Sequence, residues 1–348
     1  MDCIKQSNRV FDFVGLQGHD FSFRGLPGRH AAKRMGMGHL ASFIGTDTIP
    51  AIDGIEEWYG DDAESYLIGT SVPATEHSVM CMGGAGDGEM ETFRRLINDK
   101  YPTGIISIVS DTWDYWKVIT EYLPLLKDEI MARQPNAIGL NKVVIRPDSG
   151  DPIRIIAGYS EDEILRSSGK IYVLGTHRLD NPTLLTEAEV KGSIECMWET
   201  FGGTISGEGF KMLDEHIGLI YGDSITMQRA DEILRRLANK GFASNNVVFG
   251  IGSYTYQYNT RDTFGWAMKA TYGEINGEGV EIFKDPKTDS GEKKSAKGLL
   301  RVAAEAGGYK LYDQQTLEEA MTGELQPVFL NGKMVAETTL EEIRNRLW

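Results

Sequence analysis

Residues 142–152 read KVVIRPDSGDP, an apolar run followed at once by an arginine, two aspartates and a serine. Val143, Val144 and Ile145 are β-branched, too few for a helix, and stop at Pro147, so they read as a buried strand of a parallel sheet. The stretches 103–109 (TGIISIV), 217–221 (IGLIY) and 246–249 (NVVF) have the same texture. Between them lie helical patterns. Asp87 to Glu91 supplies a cap and first-turn acids for a helix with Met90, Phe93, Leu96 and Ile97 on one face, ending before Pro102. Residues 226–240 repeat the pattern and close on Lys240-Gly241, and 182–201 read as one helix opening on Pro182 and ending before Gly202-Gly203. Strand and helix alternate, which predicts an α/β fold built as a (β/α) barrel.

The unusual residues follow the strand candidates. Asp47 follows SFIGT, Glu76-His77 follows LIGTSVPAT, and Asp111 follows SIVS. Arg146 and Asp148 follow VVI, Gly222-Asp223 follows LIY, and Gly250 and Gly252 follow VVF. In such a barrel the strand carboxyl ends share one face, where catalytic groups gather, so the charge at 146–151 reads as the rim of a site. Each signal has a plainer reading. The adjacent Glu76 could orient His77 or tune it, but taken alone His77 reads as a structural or surface histidine, and Asp111 reads equally as the cap of the next helix. Residues 148–152 form a turn and a cap, Phe21 and Phe23 are core aromatics, and the FGIGS glycines serve a tight turn. Six such ends in one chain favour an enzyme that handles an anionic substrate.

From about residue 261 the helical periodicity fades. The segment 267–286 reads as hairpin strands around Asn276-Gly277 and Glu278-Gly279, which divides the chain into a barrel domain, 1–260, and a β-rich domain, 261–348. The loop 284–297 (KDPKTDSGEKKSAK) carries five lysines and reads either as a solvated loop or as a phosphate-binding cluster. The whole chain has a formal charge of −15, which argues against general nucleic-acid binding, so phosphate groups would need a local basic cluster. Cys3, Cys81 and Cys196 are far apart and odd in number, and suggest neither a disulfide framework nor a zinc site. No apolar run approaches the roughly 20 residues of a membrane span, and MDCIKQSNRVFDF has no signal-peptide core, so a cytoplasmic protein is expected.

The motifs HDFSFRG, GTDT, ATEHS, IVSD, IRPDSGDP, YGDS, FGIGSYTYQYNTRD and IFKDP, in this order across most of positions 11–300, resemble the nicotinamide phosphoribosyltransferases among the type II phosphoribosyltransferases. The resemblance implies an irregular TIM-like α/β barrel with a partial antiparallel β domain, acting as a head-to-tail homodimer with shared sites. It implies synthesis of nicotinamide mononucleotide and pyrophosphate from nicotinamide and 5-phosphoribosyl 1-pyrophosphate, with Mg2+, and with ATP as a stimulating co-substrate. Carried over by motif, Phe21 stacks on the nicotinamide ring and Asp47 accepts from its amide. Arg24, His77 and Arg146 hold the pyrophosphate. Arg146, Pro147 and Asp148 hold the ribose and its phosphate with Gly222, Asp223, Gly252 and Ser253, joined by Arg261 from the neighbouring subunit. His77 is the phosphorylated histidine, Asp111 orients it, and Lys269, Lys284, Lys293, Lys294 and Lys297 become phosphate ligands.

Two departures accompany the resemblance. The turn Gly250-Ile251-Gly252-Ser253-Tyr254 has fewer glycines than some relatives. The resemblance also begins inside the family pattern, whose earlier segment supplies an aspartate and a tyrosine to the neighbouring site. Three alternatives therefore stand beside the main expectation: a nicotinate phosphoribosyltransferase, an inactive or split C-terminal portion that needs a separate N-terminal chain, and a generic phosphate-binding barrel enzyme.

Overall fold

The computed structural model describes residues 11–65, 67–86, 88–137, 139–174, 183–222, 224–257, 268–284, 295–338 and 342. Asp223, Arg261, Lys293 and Lys294 lie outside these residues, as do Asp87 and Pro182. The chain divides into two units, one of residues 1–268 and 284–294, the other of 269–283 and 295–348.

The first unit is built on a curled sheet of six parallel strands: β1 (Gly18–Asp20), β2 (Gly45–Thr46), β3 (Ile106–Val109), β4 (Val143–Arg146), β5 (Ile217–Tyr221) and β6 (Val247–Ile251). Their spatial order is β2-β1-β6-β5-β4-β3. Both edges of this sheet meet one extended segment. Thr70 exchanges backbone hydrogen bonds with the β2 side, Thr46 N donating to Thr70 O at 2.9 Å and Thr70 N to Ile44 O at 2.7 Å. On the β3 side, Ser107 N donates to Pro73 O and Thr75 N to Ser107 O, each at 2.9 Å. Edge amides and carbonyls that would otherwise stand open are thereby paired.

Ile108, Val143, Ile145, Leu219 and Val247 of this sheet are buried against Phe93, Ile119, Ile194, Met197, Ile233 and Leu237 of the flanking helices. Each such side chain contributes about 1.5–3 kcal/mol on leaving water, which accounts for the apolar runs between polar strand ends. Two small antiparallel sheets, Ile164–Ser167 with Lys170–Val173 and Leu184–Leu185, and Gly203–Ile205 with Lys211–Leu213, complete the mixed α/β unit.

Local chemistry moved several expected boundaries. β3 begins at Ile106 because Gly104 takes a left-handed φ of 75° and Thr103 makes only an isolated bridge. The expected helix over 182–201 is instead a short strand and two helices. Thr186 and Glu189 form a capping box that starts Glu187–Lys191, and Gly192, at φ 80°, breaks the chain before Ser193–Phe201. A Cβ at Gly192 would come within 2.4 Å of Gly158 N, so glycine is required there. The helix Met227–Asn239 matches its expected span, with the Thr226 hydroxyl accepting from Arg229 N.

The second unit consists mainly of antiparallel hairpins. Tyr272–Ile275 pairs with Glu278–Glu281 around Asn276-Gly277, both with positive φ, as a type I′ turn requires. Glu278-Gly279, expected as a turn, belongs to the second strand. Leu299–Glu305 pairs with Gly308–Gln315, and Phe329–Leu330 with Lys333–Met334. Among the described residues no helix is long and apolar enough to cross a membrane.

Candidate active site

The carboxyl ends of the six strands converge on a connected set of polar side chains. Asp111, just past β3, is almost wholly buried. Its Oδ1 lies 3.2 Å from His77 Nε2, and its Oδ2 accepts from the Ser149 hydroxyl at 2.5 Å and from Asp148 N at 3.1 Å. Burial would push this carboxyl up, but the His77 hydrogen bond and charge, with the Ser149 and Asp148 donors, hold it below the usual carboxylate range. Asp111 does not cap the following helix. That cap is Asp114, whose side chain accepts from Lys117 N. Glu76 does not orient His77 either, since its carboxylate takes the Ser78 hydroxyl. His77 opens the helix His77–Gly86 with its ring in reach of Asp111 instead.

A second group lies around β1 and β2. The Oδ1 of Asp47 accepts from the Ser71 hydroxyl at 2.5 Å and lies 3.2 Å from His19 Nε2. The His19 ring is 4.7 Å from that of Phe21, tilted by 36°. Burial raises the Asp47 carboxyl, but the His19 and Ser71 hydrogen bonds and the charges of His19 and Arg146 bring it below the ordinary value. Arg146, the last residue of β4, donates through Nη2 to Thr75 O, while its buried Nε has no partner among the described residues. Phe21 is half-buried and Phe23 exposed, so neither belongs to the core.

Glycines join the two groups. A Cβ at Gly250 would lie 2.7 Å from the Phe21 ring and 2.8 Å from Gly222 Cα, so Gly250 of β6 makes the seat for Phe21. A Cβ at Gly222 would come 2.8 Å from the Asp148 carboxylate, and Gly222 N donates to Pro147 O at 3.3 Å. At Gly25 a Cβ would overlap the Ser253 side chain, which brings the turn carrying Arg24 against the short helix Ser253–Tyr256 and its preceding residue Gly252. Asp47, His19, Phe21, Gly250, Gly222, Asp148, Asp111 and His77 are thus linked neighbour to neighbour, with Arg146 and Arg24 at the same sheet end. Lys269 belongs to the second unit, as does Lys297, and Asp223 and Arg261 lie outside the described residues.

The sequence model of the nicotinate phosphoribosyltransferase (NAPRTase) family matches residues 16–333, which takes in every one of these side chains. This chain belongs to that family. It is 54% identical to a nicotinamide phosphoribosyltransferase of Acinetobacter baylyi over 334 residues, covering 96% of this chain and 61% of that protein. A protein of the same name in Mycoplasma pneumoniae is 36% identical over 80% of this chain and 52% of its own length. One in Xanthomonas campestris pv. campestris is 32% identical over 94% and 61%. The chain therefore spans between half and two thirds of the length of these relatives.

Within this NAPRTase-family site, three residues were not singled out in the sequence: His19, Ser71 and Thr75; Ser149 was read there only as part of the 146–151 rim. His19 and Ser71 sit beside motif residues in HDF and TSVP, and their polar side chains flanking a strand end were the available signal. Glu89, read in the sequence only as a first-turn acid of its helix, is a further titratable group. Burial drives its carboxyl up to about 7, against the pull of Lys117 and a Tyr122 hydrogen bond, and its Oε1 has no partner among the described residues. Among the described residues no group of three His, Cys, Asp or Glu side chains is arranged to hold a metal ion.

Proposed function

We propose that this chain carries the catalytic site of a nicotinamide phosphoribosyltransferase, folded as the irregular barrel of the type II enzymes. The observation that carries this reading is the continuity of the Asp47, His19 and Phe21 group with the Asp111 and His77 group across one end of one sheet. The segment 70–75, which pairs with both sheet edges, supports the barrel. In the reaction the ring nitrogen of nicotinamide attacks C1 of the ribose as the C1–O bond to pyrophosphate breaks, and the electron pair leaves with pyrophosphate. The ribose passes through oxocarbenium character, which the Asp148 carboxylate stabilises, while Arg146 and Arg24 neutralise the leaving group. Mg2+ enters as the counter-ion of the pyrophosphate substrate. Phe21 stacks on the base, and Asp47 accepts from its amide.

His77 is proposed to take a phosphoryl group from ATP. With Nε2 engaged by Asp111, Nδ1 is the nitrogen left for the bond, and Asp111 stabilises the charged ring. A homodimer with shared sites belongs to the same proposal, in which Arg261 reaches the neighbouring protomer. The family is named for nicotinate, so that base is the competing reading. The test is mass-detected nucleotide synthesis by the purified chain from equal nicotinamide and nicotinate, with and without ATP. Nicotinamide mononucleotide as the main product, increased by ATP, is expected. Preferred turnover of nicotinate would reverse the assignment of the base, and product from neither would reject catalysis by this chain.

A further inference from the structure

We infer that His19 is the positioning residue for base recognition, holding Asp47 so that the pocket accepts a neutral amide and rejects a carboxylate. The inference rests on the reading above, in which Asp47 meets the base. His19 is the more buried of the two: its side chain is 11% exposed, against 46% for Asp47, so it acts through its neighbour. It pairs with Gly45 across β1 and β2, and a Cβ at Gly45 would come within 2.8 Å of His19 Nδ1. Gly45 therefore makes the slot in which the ring is seated. From that slot Nε2 reaches Asp47 Oδ1 at 3.2 Å, and the ring lies 4.7 Å from Phe21. One side chain thus touches both residues expected to hold the base.

The chemistry follows from which oxygen is used. Both His19 and Ser71 engage Oδ1, while Oδ2 has no partner among the described residues. An ionised Asp47 fixed in this way offers a single free acceptor to the pocket. An amide N–H satisfies it. A carboxylate has no donor to give and meets a like charge, so discrimination depends on how firmly Asp47 is held in place.

The test compares the full chain with His19→Leu, which fills the slot without a donor, and His19→Gln, which restores an N–H. Initial rates are taken with nicotinamide and with nicotinate at varied 5-phosphoribosyl 1-pyrophosphate, and folding is checked by circular dichroism. His19→Leu is expected to raise KM for nicotinamide and to lower the nicotinamide-to-nicotinate ratio of kcat/KM roughly tenfold, the size of one hydrogen bond to a charged group. KM for the phosphoribosyl substrate should hold, and His19→Gln should recover most of the ratio. An unchanged ratio in His19→Leu, or equal losses in both variants across kcat and both KM values, overturns the inference while leaving the proposed activity standing. Product from neither base with the unaltered chain overturns both.

Discussion

At the amino end of the parallel sheet, Arg133 donates to four backbone carbonyls, those of Ile97, Tyr101, Gly104 and Asn141. At the carboxyl end, Arg146 donates to one, that of Thr75, and its Nε has no partner among the described residues. A guanidinium has five N–H groups, so the first arginine is nearly used up by its own protein and the second holds most of its donors in reserve. Lys142 follows the amino-end pattern, its ammonium donating to Ile217 O at 3.1 Å. Charge at one end of the sheet is taken up by the protein's own carbonyls, and at the other most of its donors have no partner among the described residues.

The largest effect that could break this contrast is expected from Arg133→Met. It leaves four carbonyls short of a donor and should cost about 4 kcal/mol in urea denaturation, with little change in turnover per folded molecule. Asp111→Asn should behave in the opposite way. It keeps the shape but loses the charge that faces His77, so turnover should fall about 100-fold while stability at neutral pH moves by no more than ~1 kcal/mol. A large loss of stability in Asp111→Asn would make both ends structural. Lys142→Met sharpens the amino-end reading by the smallest amount. Burial lowers the Lys142 ammonium to about 8 from an ordinary 10.5, so between those values the unfolded chain binds the extra proton and native stability rises with pH. The variant should therefore be more stable than the unaltered chain by about 2 kcal/mol below pH 8, the gap closing as pH climbs towards 10.5. A gap that widened with pH would contradict the assignment.

The contrast also explains what could be read in the sequence. β3 to β6 are buried or half-buried along their whole length, so each is a short, mainly apolar run, and each was legible. β1 and β2, three and two residues long, carry no such run, and His19 was missed because it sits within β1. The expected long helix over 182–201 failed because side-chain pattern does not reveal a close backbone approach such as that of Gly192 to Gly158. At the site, the positions of Asp47, His77, Asp111, Arg146 and Asp148 were legible because polar residues directly behind apolar runs are conspicuous. Their partners were not legible from residue pattern alone. Spacing set Glu76 beside His77, and it was the family resemblance that paired His77 with Asp111, 34 residues away, as the fold does. Gly250, read as part of a phosphate loop or a tight turn, is the seat of Phe21.

The extended segment at 70–75 joins two obligations that most proteins keep apart. Its backbone occupies both borders of the sheet, and its Ser71 and Thr75 reach Asp47 and Arg146. Any change that loosens this seam uncovers ready templates for strand addition by another molecule and, in the same event, releases Asp47 and Arg146, the groups proposed to meet the substrate. Insolubility and inactivity would then arrive together, and selection for a well-behaved polypeptide would also guard its chemistry.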